Sequence, residues 1–393
     1  MMFQANYPHL LRKIMIRPAS NSIATTLPLY NFSGGVGLLP PKVISEAQQA
    51  VLEVPGTGIS ALVINHRSQL CRDILDETEK NLRTLLSIPD NYHVLFLQGG
   101  ASLQFSMIPM NLWANKNQPV DYIVSGYWSA KAIKEAEIEG NKVNIIWNGK
   151  AQKFVRVPDA DEYKIDADAA YLHYCSNETV EGLQFKEPLE TGDVPLVCDM
   201  SSDFLAKPVD IGKYGLVYAH AQKNIGAAGV TVVIIRDDLL GCIPDNIPTV
   251  LDYRPHVEMK SIYNTPPVFA IYVVLLVTRW LLNDIGGLAT MAQQSRHKAE
   301  LLYSAIDQSK GFYRGHAQVD SRSLINVVFN LATPDLEKRF IEVAKQLGII
   351  GLEGHRSLGG IRASLYNSMP VEGALFLKNF MIEFQQQFKH SQQ

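Results

Sequence analysis

Tyr214–Gly229, YGLVYAHAQKNIGAAG, decides how the chain is read. Its first half, GLVYAHA, predicts a buried β-strand running into a turn that carries Gln222 and Lys223. The small residues Gly226-Ala-Ala-Gly229 follow, and then a second apolar strand, VTVVIIR. A lysine set between two apolar strands is unlike a surface lysine, because charged residues are rarely buried unless paired or used. Twenty-four residues earlier, PLVCDMSSDF places Asp199 at the tip of another apolar run. A strand-end Asp followed by a strand-end Lys suits pyridoxal phosphate (PLP), which needs an amine for its carbonyl and an acid beside its pyridine nitrogen. A salt bridge at a sheet edge would use the same two residues, and spacing alone leaves both readings open.

Outward from that stretch, apolar strands alternate with helices. HVLFLQ, YIVSGYW, VNIIW, AAYLHYC, PLVCDM, LVYAHA and VTVVII read as strands, with helical periodicity after GGAS and over Ser129–Glu139. This pattern predicts an α/β fold with a mostly parallel sheet covered on both faces. Ligands of such sheets bind at the carboxyl ends of the strands. Gly99–Ser102, Trp128, Thr179, Asp199 and Lys223 all fall at or just after predicted strand ends. The free amides of a helix start at Gly99–Ser102 suit a phosphate, though a GG turn also serves a plain strand-to-helix connection. Trp128 suits stacking on a flat ring, though a core tryptophan is commoner. Thr179 suits a hydrogen bond to a ring hydroxyl, or a turn. Lys223 would hold the cofactor and shuttle a proton, with Asp199 keeping the ring nitrogen protonated.

The 393 residues exceed one typical core, so two domains are expected. The expected boundaries are a large cofactor-binding domain over 41–290 and a small α+β domain from 25–40 and 291–393. Residues 1–24 read as a flexible extension without a secretory pattern. A formal charge of −3 gives no signal for nucleic acid. Cys71, Cys175, Cys198 and Cys242 have no metal-ligand spacing and read as reduced thiols of a cytoplasmic protein, with no metal expected. The apolar run Val268–Thr278 reads as too short to span a bilayer before Arg279, so no membrane segment is expected. His66-Arg67 is a basic pair in a loop, suited to an anion or to solvent. A second basic loop carries His355, Arg356 and Arg362.

Together the motifs resemble those of the phosphoserine aminotransferases, class V members of the fold-type I PLP enzymes. The resemblance runs from about Tyr30 to Phe388. It rests on NFS, NHRS at 65–68, QGGASLQF at 98–105, GYW at 126–128, SNETVEG at 176–182, CDMSSDF at 198–204, AQKNIG at 221–226, YNTPP at 263–267 and GHRSLGGIRASLYN at 354–367.

The resemblance implies a seven-stranded-type sheet in the large domain and a set of roles. Lys223 would be the Schiff-base lysine, Asp199 the pyridinium partner, Trp128 the stacking ring and Thr179 the partner of the ring oxygen. Ala101, Ser102 and Gln222 would hold the cofactor phosphate. Asn264 and Thr265 would reach the neighbouring subunit's cofactor, which implies a homodimer. His66, Arg67, His355 and Arg356 would receive the distal anion of phosphoserine or glutamate, and Arg362 the α-carboxylate. The implied reaction interconverts 3-phosphohydroxypyruvate and glutamate with O-phosphoserine and 2-oxoglutarate, in serine biosynthesis. Some relatives also use 4-phosphohydroxythreonine, in pyridoxine biosynthesis. The SGGVG at 33–37 departs from many relatives, so the resemblance implies no contact for Gly34. Two alternatives stay open: a serine–pyruvate-type transaminase, disfavoured by the two HR pairs, and an inactive binding protein on the same fold.

Overall fold

The computed structural model describes residues 29–113, 115 and 117–388, so the expected extension over 1–24 lies outside the described residues. Seven strands form the central sheet. Across it they run Lys142–Asn148, Pro119–Val124, Leu172–Cys175, Leu196–Asp199, Leu216–His220, Thr231–Arg236 and Tyr92–Leu97. Numbered along the chain, that order is 3-2-4-5-6-7-1. Only Thr231–Arg236 runs antiparallel to its neighbours. The expected mostly parallel α/β sheet is therefore present. Leu216, Val217, Tyr218 and Ala219 are fully buried, which is why these strands read as unbroken apolar runs and not as alternating ones.

The registers bring several strand ends to one rim. Asp199 pairs with Cys175 and Tyr218, while Thr231 pairs with both His220 and Leu97. Leu97, Cys175, Asp199 and His220 thus end together. At this rim Gly99 and Gly100 take φ of 87° and 70°, a left-handed turn that glycine adopts without strain. The turn lets the helix Gly100–Leu112 start almost directly from the strand.

One expectation shifts. Gly126-Tyr-Trp128 does not continue a strand. The strand ends at Val124, and Tyr127 opens the helix Tyr127–Ile138. Trp128 therefore sits in a helical first turn.

The apolar run from Val268 also differs from expectation. Its helix, Val268–Trp280, continues through a π-helical turn to Ile285. By length and composition alone this 18-residue span is long and apolar enough to cross a bilayer. In the fold, ten of its residues between Val268 and Thr278 are buried in the core. A helix apolar all round is what a core position requires, and each buried aliphatic side chain contributes about 1.5–3 kcal/mol.

A second apolar cluster gathers Phe32, Tyr313, Phe329, Phe340, Phe380 and Phe384. It lies on the antiparallel sheet of Arg314–Gly315, Asn326–Asn330 and Ile361–Ser364, beneath the helices Pro334–Gln346 and Val371–Phe388. The helix Leu288–Asp307 joins the two cores: Leu288 and Met291 enter the first, Ala299 to Ile306 the second. Thr333 caps the helix that begins at Pro334 by accepting from Leu336 N at 3.2 Å, as the Thr-Pro pair predicts.

Candidate active site

The strand Leu196–Asp199 delivers a buried carboxylate to the rim. Asp199 Oδ1 accepts from Ser201 N at 2.8 Å. Its other oxygen makes no hydrogen bond among the described residues. Lys223 stands in the turn after Leu216–His220, and its Nζ lies 4.9 Å from the centre of the Trp128 ring. It has no ion pair among the described residues. The indole Nε1 of Trp128 donates to Thr179 Oγ1 at 2.9 Å, so the flat ring is held at its edge. An uncommitted amine, a fixed aromatic plane, a hydroxyl and a buried carboxylate oxygen therefore converge on one rim.

Two glutamates that the sequence reading did not single out build the floor. Glu178 accepts from Trp128 N at 3.0 Å, Ser129 N at 2.9 Å and Ser129 Oγ at 2.6 Å. Glu181 accepts from Tyr127 N at 3.0 Å, and its Oε2 is buried without a partner. The pair thus satisfies the free amides at the start of Tyr127–Ile138, where a negative charge is favoured. Two adjacent buried carboxyls do not both ionise readily. Burial raises the Glu178 carboxyl as well, and its three donors from Ser129 and Trp128 oppose that shift. Burial first, then the charge of Glu178, push Glu181 up to about 9, so it holds its proton at neutral pH.

From the other sheet, Arg362 reaches across. Its Nη1 donates to Thr179 O at 3.3 Å, while its Nε is buried without a partner. Burial lowers the pKa of its guanidinium. Gly34 lies flat on this group; a β-carbon there would sit 2.3 Å from Nη2. Tyr366 OH donates to Gly34 O at 2.7 Å, and Gly37 N to Gln222 O at 2.8 Å. The SGGVG segment therefore closes over both Arg362 and the lysine turn, a contact the sequence did not suggest. His355 lies tilted against Tyr127 with ring centres 4.7 Å apart. Burial and the nearby positive charges of Arg362 and Arg356 hold its imidazole below the usual value. Two guanidiniums, Arg356 and Arg362, stand beside this imidazole without an ion pair among the described residues, which favours an anionic ligand.

Ala101 and Ser102 occupy the first turn of Gly100–Leu112, with no acidic residue among them. Gln222 has a buried Oε1 without a partner. These groups fit PLP: the helix-start amides for the phosphate, with the Gln222 side chain able to donate to it only through Nε2, Trp128 for the ring, Thr179 for its oxygen, Asp199 for its nitrogen and Lys223 for its carbonyl. Two predicted pairs make no hydrogen bond to this set among the described residues of the chain. The described bonds around Arg67 are local: its amide donates to Asn65 Oδ1, and its carbonyl accepts from Arg72. His66 beside it is half-buried. Asn264 and Thr265 pack on Gln98 of their own chain, with Gln98 Nε2 donating to Thr265 O at 2.8 Å. No group of three or more His, Cys, Asp or Glu able to hold a metal occurs among the described residues.

Residues 29–375 match the family model for aminotransferase class-V. The phosphoserine aminotransferase of Laribacter hongkongensis (strain HLHK9) is 51% identical over 356 residues, covering 91% of this chain and 98% of that protein. The solved phosphoserine aminotransferase of Bacillus circulans subsp. alkalophilus superposes with a TM-score of 0.89 at 46% identity, covering 92% of this chain and 99% of that one. The solved PLP-bound phosphoserine aminotransferase of Trichomonas vaginalis superposes with a TM-score of 0.85 at 37% identity, covering 90% of this chain and all of that one.

Proposed function

The chain belongs to the class V aminotransferase family, and from that premise we propose that it is a PLP-dependent transaminase acting on phosphoserine. It interconverts 3-phosphohydroxypyruvate and glutamate with O-phosphoserine and 2-oxoglutarate. The observation that carries this reading is Arg362 bound to Thr179 O beside the Trp128–Lys223 pair, with His355 close by. It joins an amino-group chemistry to a cationic pocket.

PLP, when bound, supplies the carbonyl that accepts the amino group and a ring that withdraws electrons from the substrate's Cα. The chain's own residues do the rest. Asp199 accepts the ring N–H and keeps that nitrogen protonated. The amides of Ala101 and Ser102, with Gln222, hold the phosphate. Trp128 fixes the ring plane and Thr179 the ring oxygen. Lys223 Nζ takes the proton from the substrate's Cα and returns it on the other side of the exchange. Arg362 binds the α-carboxylate as a planar fork. His355 and Arg356 receive the distal phosphate or carboxylate.

We assign His66 and Arg67 to the same distal pocket, supplied across a homodimer. Leu52, Ile59, Leu62 and Val63 lie exposed just before them, an apolar face that a second copy would cover. Asn264 and Thr265 would reach the neighbouring cofactor in the same assembly. A cytoplasmic location, in keeping with four free cysteines, is part of this proposal.

Steady-state kinetics with phosphoserine, phosphohydroxythreonine, glutamate and alanine test it. Phosphoserine and glutamate should be used at least about a hundredfold better than alanine, because alanine has no distal anion to pair with the guanidiniums. Equal rates with alanine would overturn the substrate assignment. Use of phosphohydroxythreonine would add the second biosynthetic role.

A further inference from the structure

We propose that His220 is an additional ligand of the cofactor phosphate, donating an imidazole N–H to one of its oxygens. This rests on reading Gly99–Ser102 as the phosphate cradle. His220 is the last residue of the strand Leu216–His220, three residues before Lys223. Its main chain is pinned: the amide donates to Ser201 Oγ at 3.1 Å, and its register partner is Thr231. The side chain is not. Neither ring nitrogen has a hydrogen bond among the described residues, although the residue is half-buried.

The ring lies against Gly100, where the helix starts; a β-carbon built there would be 3.2 Å from Nδ1 and 3.3 Å from Cε1. The imidazole therefore lies beside the first residue of the helix whose next two residues are Ala101 and Ser102. Its ring nitrogens are open to solvent and have no protein partner, so an anion in the cradle would take the place of water as the acceptor. Burial first, then the nearby Lys223 ammonium, lower its pKa. A neutral imidazole still carries one N–H donor, which suffices for this role. The dianionic phosphate would then be met by a helix start, by Gln222 and by His220, without an arginine in the turn.

The test compares cofactor affinity of the apoprotein for PLP and for pyridoxal, which lacks the phosphate. Binding is followed by absorbance or by quenching of tryptophan fluorescence. For His220→Ala, PLP affinity should fall by about tenfold to a hundredfold, the worth of a hydrogen bond to a charged group, while pyridoxal affinity stays unchanged. His220→Gln keeps a donor and should recover part of the loss. It also serves if the alanine variant folds poorly. If the wild-type protein prefers PLP over pyridoxal but both variants keep that preference in full, the cradle reading stands and His220 is not a ligand. If the wild-type protein binds both compounds equally, the cradle reading itself fails and the proposal with it.

Discussion

The indole N–H of Trp128 donates to the hydroxyl of Thr179 at 2.9 Å. The two residues expected to hold the cofactor's ring are therefore held first by each other, and the ring slot is shaped before anything binds. Thr179→Val keeps the shape and removes the acceptor. An indole N–H left without a partner costs about 1–3 kcal/mol. PLP affinity should fall about tenfold or more, with far-UV circular dichroism unchanged. Unaltered affinity would mean that Thr179 only packs the loop.

Lys223 is the amine on the rim that faces the Trp128 ring, at 4.9 Å, and it has no ion pair among the described residues. Lys223→Ala should retain the fold and lose turnover by about 10²–10⁴-fold or more, since it would remove the proposed proton carrier. Adding a small primary amine to the buffer should restore part of the rate. Turnover near that of the wild type would remove Lys223 from the mechanism.

Sequence was sufficient where local pattern determines the result. Asp199 and Lys223 stand out because fully buried apolar strands flank them, and a charge at such a strand end has few other uses. Trp128 was misplaced because Tyr and Trp after an apolar run look like more strand. What starts the helix there is the carboxylate of Glu178, from 50 residues away, and no local signal carries that. Glu181 and His220 were missed for a related reason. Each lies in or beside an apolar run, and only the folded neighbours, Glu178 for one and Gly100 for the other, make it unusual.

Glu181 makes stability depend on pH. Its carboxyl ionises near 4.5 when unperturbed and is pushed up to about 9 in the fold. A raised folded value means that its contribution is intact below about 4.5 and is lost as pH rises towards 9, because unfolding then releases a proton. Glu181→Gln imitates the protonated acid at every pH. Its melting temperature should match the wild type near pH 4.5–5 and exceed it by a growing margin up to pH 9. A margin independent of pH would show that Glu181 is ionised throughout.

Lys298 is 1% exposed, and its Nζ reaches the carbonyls of Leu365 at 3.2 Å, Tyr366 at 2.9 Å and Met369 at 3.0 Å. That loop follows the strand bearing Arg362, and Asn367 N donates to Asn224 Oδ1, next to Lys223. Lys298→Met keeps the stem and orphans the carbonyls, at about 2–5 kcal/mol. Urea unfolding should show a lower midpoint at an unchanged slope. An unshifted midpoint would show that water replaces the ammonium at no cost.

Under the proposed assignment Arg356 and Arg362 would meet different ends of the substrate and should separate kinetically. Arg362 hydrogen-bonds Thr179 O and lies against Gly34, and in the proposed assignment it binds the carboxylate attached to the reacting carbon. Every amino acid carries that carboxylate. Arg362→Ala should therefore lower kcat/KM for phosphoserine, glutamate and alanine alike. Arg356 is exposed, near His355 at the mouth of the pocket. It would meet only a distal phosphate or carboxylate. Arg356→Ala should weaken phosphoserine and glutamate together, since one pocket serves both halves of the exchange, and leave the weak alanine rate unchanged. The loss should be about tenfold to a hundredfold, reflecting a bidentate charged pair partly open to water. Parallel losses for alanine and phosphoserine in Arg356→Ala would place Arg356 at the reacting end and reverse the assignment.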